Sequence, residues 1–482
     1  MRKCAFAFSC FLIAAGVASG QTLSPQVRGF VKIDAPVIAL THVRVIDGTG
    51  AAAREDQTLI LSHGKIESVS DAASASVPKD AQVLDLHGYS VIPGLVGMHE
   101  HMFYPAGAAV FHEMAVSFPR LYLAAGVTTV RTAGSVEPYT DLALKRDIDG
   151  GAMAGPHIHV TGPYLEGPGS WAPQMTELKS PEEAVATVNF WIDRGVDNFK
   201  AYNFISRAVL KAAIDAAHKR GIKVTGHLCS VGFREAASLG IDDLEHGLVV
   251  DTEFFSGKKP DQCPDEETMT RELVKMRVKD APIQDTIHEL VTRHVAVTST
   301  LPVFELLVPD KTPLQQRVLD AMSQDAQIQY LETRVRIDVP HRDPATGEVQ
   351  SAPWAQVFAQ EEEFERAFVE AGGLLLAGLD PTGIGGDLAG FGDQREVELL
   401  VEAGFAPLEA IHIATYNGAQ YLGELNHIGT IAPGKQADLV VIKGNPSKKI
   451  EDIENVETVF KDGIGYDSAK LIESVHGLVG IR

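Results

Sequence analysis

One short phrase recurs between residues 90 and 380, and it constrains the fold more than any other feature of the chain. A helical pattern runs into a glycine, a brief apolar strand follows, and a polar residue ends it. Residues 121–126 lead in this way into 127–130, 191–195 into 196–199, and 216–221 into 222–224. The same form returns at 236–240 and 368–372. Each glycine suits the left-handed residue that ends a helix. The strands are short and mostly apolar, as parallel strands covered on both faces must be. Candidate strands begin near Val91, Val127, His157, Val196, Ile222, Ile241, Val295 and Leu374. Eight strands separated by helices predict an α/β fold of the (β/α)8, TIM-type barrel class. A doubly wound open sheet is the alternative, because a count of strands does not establish closure.

The flanks are strand-rich and short in helix. Runs at 38–46, 58–61 and 66–69 are separated by Gly and Asp turns, and 438–442 and 456–460 form a second group. We expect residues 33–92 and 428–475 to meet as one small split β-sandwich, with the barrel at 93–427. Two stretches, about 251–290 and 305–357, break the rhythm after strands six and seven. Insertions at that end of a barrel shape the substrate pocket, although solvated decoration is the plainer reading.

The chemistry gathers at strand ends. His99-Glu100-His101 follows the first apolar run. Residues i and i+2 of a strand share a face, so both imidazoles point one way and suit Zn²⁺ or a similar ion. His157 and His159 repeat the spacing, but at the start of their strand, and are read as structural. Lys200, His227, His246 and Asp380 end strands four, five, six and eight. Singly each has a bland reading: a surface lysine, hydrogen-bonded core histidines, a helix N-cap aspartate. A barrel would bring all six around one mouth, and coincidence is then the poorer explanation.

Composition narrows the rest. A formal charge of −22 excludes nucleic acid as a partner. A basic start at Met1-Arg2-Lys3, an apolar run over 4–17 and a small-residue site at Ala18-Ser19-Gly20 read as a signal peptide spanning 1–20. Cleavage before Gln21 predicts an exported protein, periplasmic or secreted, without membrane contact thereafter. An N-terminal anchor is the other reading, but the run falls short of the roughly 20 residues that span a bilayer. Four cysteines exclude a disulfide scaffold, and Cys229 and Cys263 remain after the leader, as a pair or as two separate thiols. A homo-oligomer remains open.

The motif Val91-Ile-Pro-Gly-Leu-Val-Gly-Met-His-Glu-His101 resembles the amidohydrolase superfamily. So do Phe199-Lys-Ala-Tyr202, Gly226-His227, Glu245-His-Gly247, Ala377-Gly-Leu-Asp380 and the tail Ile428-Gly-Thr-Ile-Ala-Pro-Gly-Lys-Gln-Ala-Asp-Leu-Val-Val-Ile442. The chain is most similar to the branch of Xaa-Pro-type dipeptidases, ochratoxin-type amidases and imidazolonepropionase-like proteins. Glu100, the proline after Asp380 and the two insertions depart from the family pattern.

The resemblance implies two divalent metal ions, Zn in the first instance. His99, His101 and Asp380 would hold one, and His227 and His246 the other, bridged by a carbamate on Lys200. An ammonium cannot ligate a cation, whereas a carbamate offers two oxygens, and nearby cations favour the anionic form. It further implies hydrolysis of an amide or short-peptide substrate by a metal-bridged hydroxide, with Asp380 as proton shuttle. Tyr202, two residues past Lys200, would donate to the substrate oxygen, or simply pack. Arg131 ends strand two and is read first as a salt-bridge residue, second as a partner for a substrate carboxylate. Cyclic-amide hydrolysis of the imidazolonepropionase type, or esterase or phosphotriesterase activity on the same metals, are the alternatives.

Overall fold

The computed structural model describes residues 22–107, 110–339 and 353–481. The expected leader at 1–20 lies outside the described residues, as do 340–352 of the second long insertion. The architecture is a mixed α/β, TIM-barrel-type fold. Its parallel strands are β1 (Leu95–Glu100), β2 (Val127–Thr132), β3 (His157–His159), β4 (Asn198–Ala201), β5 (Lys223–Gly226), β6 (Asp243–Glu245), β7 (Ala296–Ser299) and β8 (Leu375–Ala377). One sheet carries β3, β2 and β1 in that order, and a second runs from β4 through β8. A parallel bridge joins Thr161 to Asn198 between the sheets. On the other side the amide of Asp380 donates to the carbonyl of His99 at 2.9 Å.

The recurring phrase behaves as its chemistry requires. Helix Arg207–His218 starts at Ser206, whose hydroxyl accepts from the amide of Val209. Its buried face, with Val209, Leu210, Ala213, Ile214 and Ala217, packs onto the strands. Helix Phe233–Leu239 stops at Gly240, whose φ of 98° lies in the left-handed region that a side chain resists.

The first strand differs from expectation. Val91 belongs to Tyr89–Pro93, which pairs antiparallel with Leu439–Lys443 outside the barrel strands. Pro93 lacks an amide to continue the ladder, and β1 begins only at Leu95. The two long insertions, charged in sequence, are partly helical, with Glu266–Leu273 in the first and Gln316–Ala321 and Gln324–Asp338 in the second. Helix Ala281–Thr292 packs on Phe233–Leu239, and Pro353–Glu370 leads into β8.

The flanks join in one nine-stranded sheet. Leu439–Lys443 lies between Tyr89–Pro93 and Val456–Lys461, so strands distant in sequence share one ladder. Its own apolar cluster includes Ile38, Leu40, Leu59, Leu439 and Phe460. Among the described residues, no helix is long and apolar enough to cross a membrane.

Candidate metal centre

The six strand-end residues converge. His99 lies in β1, and His101 just past it. Lys200 lies in β4, while His227 and His246 each follow the last residue of β5 and β6. Asp380 follows β8 by three residues. Nζ of Lys200 is 2.9 Å from Nε2 of His99. Asp380 reaches toward three imidazoles, with Oδ1 3.3 Å from His101 Nε2 and Oδ2 3.7 and 3.8 Å from Nε2 of His99 and His246. The rings of His227 and His246 are 4.4 Å apart. Donor atoms of His99, His246 and Asp380 all fall within 4.8 Å of one another.

Local structure explains the convergence. Gly378 runs so close to β1 that a Cβ there would lie 2.4 Å from Cβ of His99. Only glycine lets β8 approach and deliver Asp380. His246 and Asp380 themselves hold φ of 70° and 55°, rare for residues with side chains. Strain of this kind persists where the surroundings enforce it, and it gathers at functional sites.

Burial sets the protonation states. His227 is pushed down to about 3 by burial, with the Lys200 charge adding to it. Burial likewise holds His99 and His246 well below the usual histidine range. Burial lowers the Lys200 amine to about 8, against the pull of Glu245 and Asp380. For Asp380 burial acts upward, but His99 and His101 outweigh it and keep the carboxyl well below its ordinary value. The result is a set of neutral imidazoles facing one carboxylate.

Three of the four imidazoles are also held from behind. His99 Nδ1 lies 2.7 Å from Glu245 Oε2, His101 Nδ1 3.2 Å from the carbonyl of Gly134, and His246 Nδ1 2.6 Å from the hydroxyl of Thr300. Nε2 of His246 is buried without a hydrogen-bond partner. Arg131, fully buried, donates to Asp243 at 2.7 Å and to Glu245 at 3.1 Å, so the salt-bridge reading holds. Glu245, Asp243 and Thr300 carried no role in the sequence analysis. A signal existed for two of them, because acids at i and i+2 of a short barrel strand share one face and need a cation such as Arg131.

A cavity of about 450 Å³ opens over these groups. His101, Lys200, His227, His246 and Asp380 form its floor, and Tyr202 lines its wall. The Tyr202 ring lies 4.8 Å from that of His227. Tyr164 stands beside it and also borders Lys200. His157 and His159 face away, toward Asp462 and Glu424.

A TIM-barrel-type fold with histidines, a lysine and an aspartate gathered at strand ends has the layout of a hydrolytic enzyme. The sequence profile of the amidohydrolase family matches residues 90–256 and 375–464, more than half of the chain, and the chain belongs to that family. Among solved structures, a candidate prolidase from Bifidobacterium longum shares 26% identity with a TM-score of 0.65, covering 91% of this chain and 98% of its own. A Xaa-Pro dipeptidase with bound methionine shares the fold at 20% identity and a TM-score of 0.64, covering 89% and 100%. Adenine deaminase 1 of Carboxydothermus hydrogenoformans is 38% identical over 91 residues, 18% of this chain and 15% of that protein. The chain thus spans a small part of that curated relative's length.

Proposed function

We propose that this protein is an exported, metal-dependent amidohydrolase that cleaves the C–N amide bond of dipeptides or N-acyl amino acids. The observation that carries the reading is the convergence of His101, Lys200, His227, His246 and Asp380 on one cavity, with His99 directly behind Lys200 and Asp380. The likeness to a candidate prolidase at 26% identity favours peptide-type amides.

The donors fit two divalent cations. Neutral imidazoles and an ionised carboxylate are the ligand types such ions take, and the buried, unpartnered Nε2 of His246 lacks any other acceptor role. His99, His101 and Asp380 would hold one ion and His227 and His246 the other, with Zn²⁺ the best match. Lys200 would lie between them as a carbamate, formed when its neutral amine adds to CO₂ and gives up one proton. Bound there, the cations would supply Lewis acidity to the scissile carbonyl and lower the pKa of a water. Asp380, which lines the cavity, would take the proton of the attacking water and return it to the departing nitrogen. Tyr202 would donate a hydrogen bond from its hydroxyl to the carbonyl oxygen from the wall.

The test couples metal analysis to turnover. Two equivalents of Zn²⁺ per chain and hydrolysis of N-acyl amino acids are expected. Lys200→Ala should lose one equivalent and most activity. Equal turnover by chelator-stripped protein would overturn the reading. Export rests on the leader at 1–20, and a mature N-terminus at Gln21 is expected. We propose the domain division with it: a closed barrel at 93–427 and a split β-sandwich from 33–92 and 428–475. Its support is the Thr161–Asn198 bridge, the Asp380–His99 hydrogen bond and the shared flank ladder.

A further inference from the structure

Of the four converging imidazoles, His227 alone has no hydrogen bond to its ring among the described residues. It is also less buried than the other three. A ligand without a hydrogen-bonded support takes its place from its own backbone and from packing. For His227 that backbone is the buried run Leu228–Val231.

This run is tied to the loops on both sides of it. Toward the loop after β4, the amide of Ser230 donates to the carbonyl of Asn203 at 2.8 Å, and its hydroxyl donates to that of Ile205 at 2.6 Å. Toward the loop after β6, the Thr252 hydroxyl donates to the carbonyl of Cys229 at 2.6 Å. Nζ of Lys258 donates to the carbonyls of Ser230 and Gln262, both at 2.7 Å. Next to Gln262, Cys263 closes a disulfide with Cys229.

These loops begin at the site itself. Asn203 lies three residues past Lys200, and Thr252 six past His246. From His246 the chain runs through the single turn Gly247–Val250 to Thr252. The disulfide therefore joins the two loops that start at His227 and His246, the imidazoles assigned above to one ion. The other ion needs no such link. His99 and His101 are i and i+2 of one chain segment, so the local backbone sets their spacing.

We propose that the Cys229–Cys263 bond is a positioning device that fixes His227 relative to His246 and so sets the affinity for the ion they share, without acting on the ion of His99 and His101. This rests on the two-metal reading above and deepens it. Losing a group that orients a ligand weakens metal binding by about 10- to 100-fold. The disulfide acts through the backbone rather than on the ring, so the lower end of that range, about tenfold, is expected.

The experiment measures zinc retained per chain in chelator-buffered free zinc. In Cys229→Ala/Cys263→Ala, one equivalent should need about tenfold more free zinc, and the other should be unchanged. Thr252→Val leaves the disulfide in place and removes one tie to Cys229, and it should shift the same equivalent in the same direction. His227→Ala should hold one equivalent. Adding the two cysteine substitutions to it should leave that equivalent unchanged, because a residue acting through His227 has no effect once His227 is gone. Near-UV circular dichroism checks that each variant is folded. If the double cysteine variant does not fold, Thr252→Val, alone and combined with His227→Ala, decides by the same criteria. Equal weakening of both equivalents, no weakening of either, or a further loss in the His227→Ala background would overturn this inference alone. Fewer than two equivalents on the parent protein at saturating zinc would overturn the two-metal reading and this inference with it.

Discussion

Nδ1 of His99 lies 2.7 Å from Oε2 of Glu245, and both side chains are fully buried. A carboxylate only accepts, so the proton stays on Nδ1 and the lone pair of Nε2 faces Lys200 and Asp380. Glu245 thereby fixes the tautomer and the plane of a proposed metal ligand. Glu245→Gln keeps the shape and removes the charge. Its metal affinity should fall about 10- to 100-fold, the usual cost of losing such a support. Competition with a chromogenic chelator measures this directly. Unchanged zinc affinity would reduce Glu245 to a packing residue.

Arg131 makes an opposite kind of prediction. It donates to Asp243 and Glu245 in a place closed to solvent. Burial works against its charge, but Glu245 and Asp243 overcome that and hold the guanidinium protonated. Removing one partner of a buried ion pair strands the others. Arg131→Met should cost about 3–5 kcal/mol of stability, read from urea unfolding. If Arg131 met a substrate carboxylate instead, the variant would be stable and KM alone would rise.

The sequence and the structure agree where periodicity carries the information. Glycines that end helices and short apolar strands mark the barrel rhythm, and the polar residues ending strands one, four, five, six and eight point to the site. What stayed hidden is contact between distant strands. Glu245 was visible beside His246, but nothing local says that its carboxylate reaches the far side of His99 on β1. Val91 was misassigned for a related reason. An apolar run crossing Pro93 reads as one strand, although its two halves pair with different sheets. The ring contacts of Phe111 with Trp171 and of Phe304 with Trp354 were hidden because these residues come from separate segments and share no spacing.

The sequence left the pairing of Cys229 and Cys263 open, and the structure joins them with Cα atoms 5.0 Å apart. The bond ties the stretch after β6 to a residue two positions past His227. A closed loop of 34 residues should contribute about 2–4 kcal/mol by restricting the unfolded chain. Cys263→Ser should therefore lower the denaturation midpoint, and a reducing agent should reproduce the shift in the parent protein. The variant should also be cut sooner within 251–263 under limited proteolysis. No change on reduction would mean that the thiols are free in solution.

His157 sets a pH limit on the contact between β3 and the flank sheet. Its Nε2 lies 3.3 Å from Asp462 and 3.9 Å from Asp438, and its Nδ1 lies 3.8 Å from Asp149. Lys461 completes the cluster, 3.3 Å from Asp462. Burial alone would lower His157, but the carboxylates of Asp149 and Asp462 outweigh it and raise the imidazole to about 9, with Lys461 opposing. An unfolded histidine titrates near 6.5. The raised value means that His157 contributes its full stability below pH ~6.5 and loses it as pH climbs through about 9. Asp438, lifted to about 6 by burial and by Asp462 against the pull of His157, has finished titrating before that limb begins. Between pH 7 and 10 the parent protein should lose about 2 °C or more of Tm beyond the loss seen in His157→Asn. Lysines and tyrosines titrate alike in both proteins, so the difference between the two melting curves isolates this one imidazole. Parallel curves across the interval would show that His157 is neutral in the folded protein and that the acids around it are paired without it.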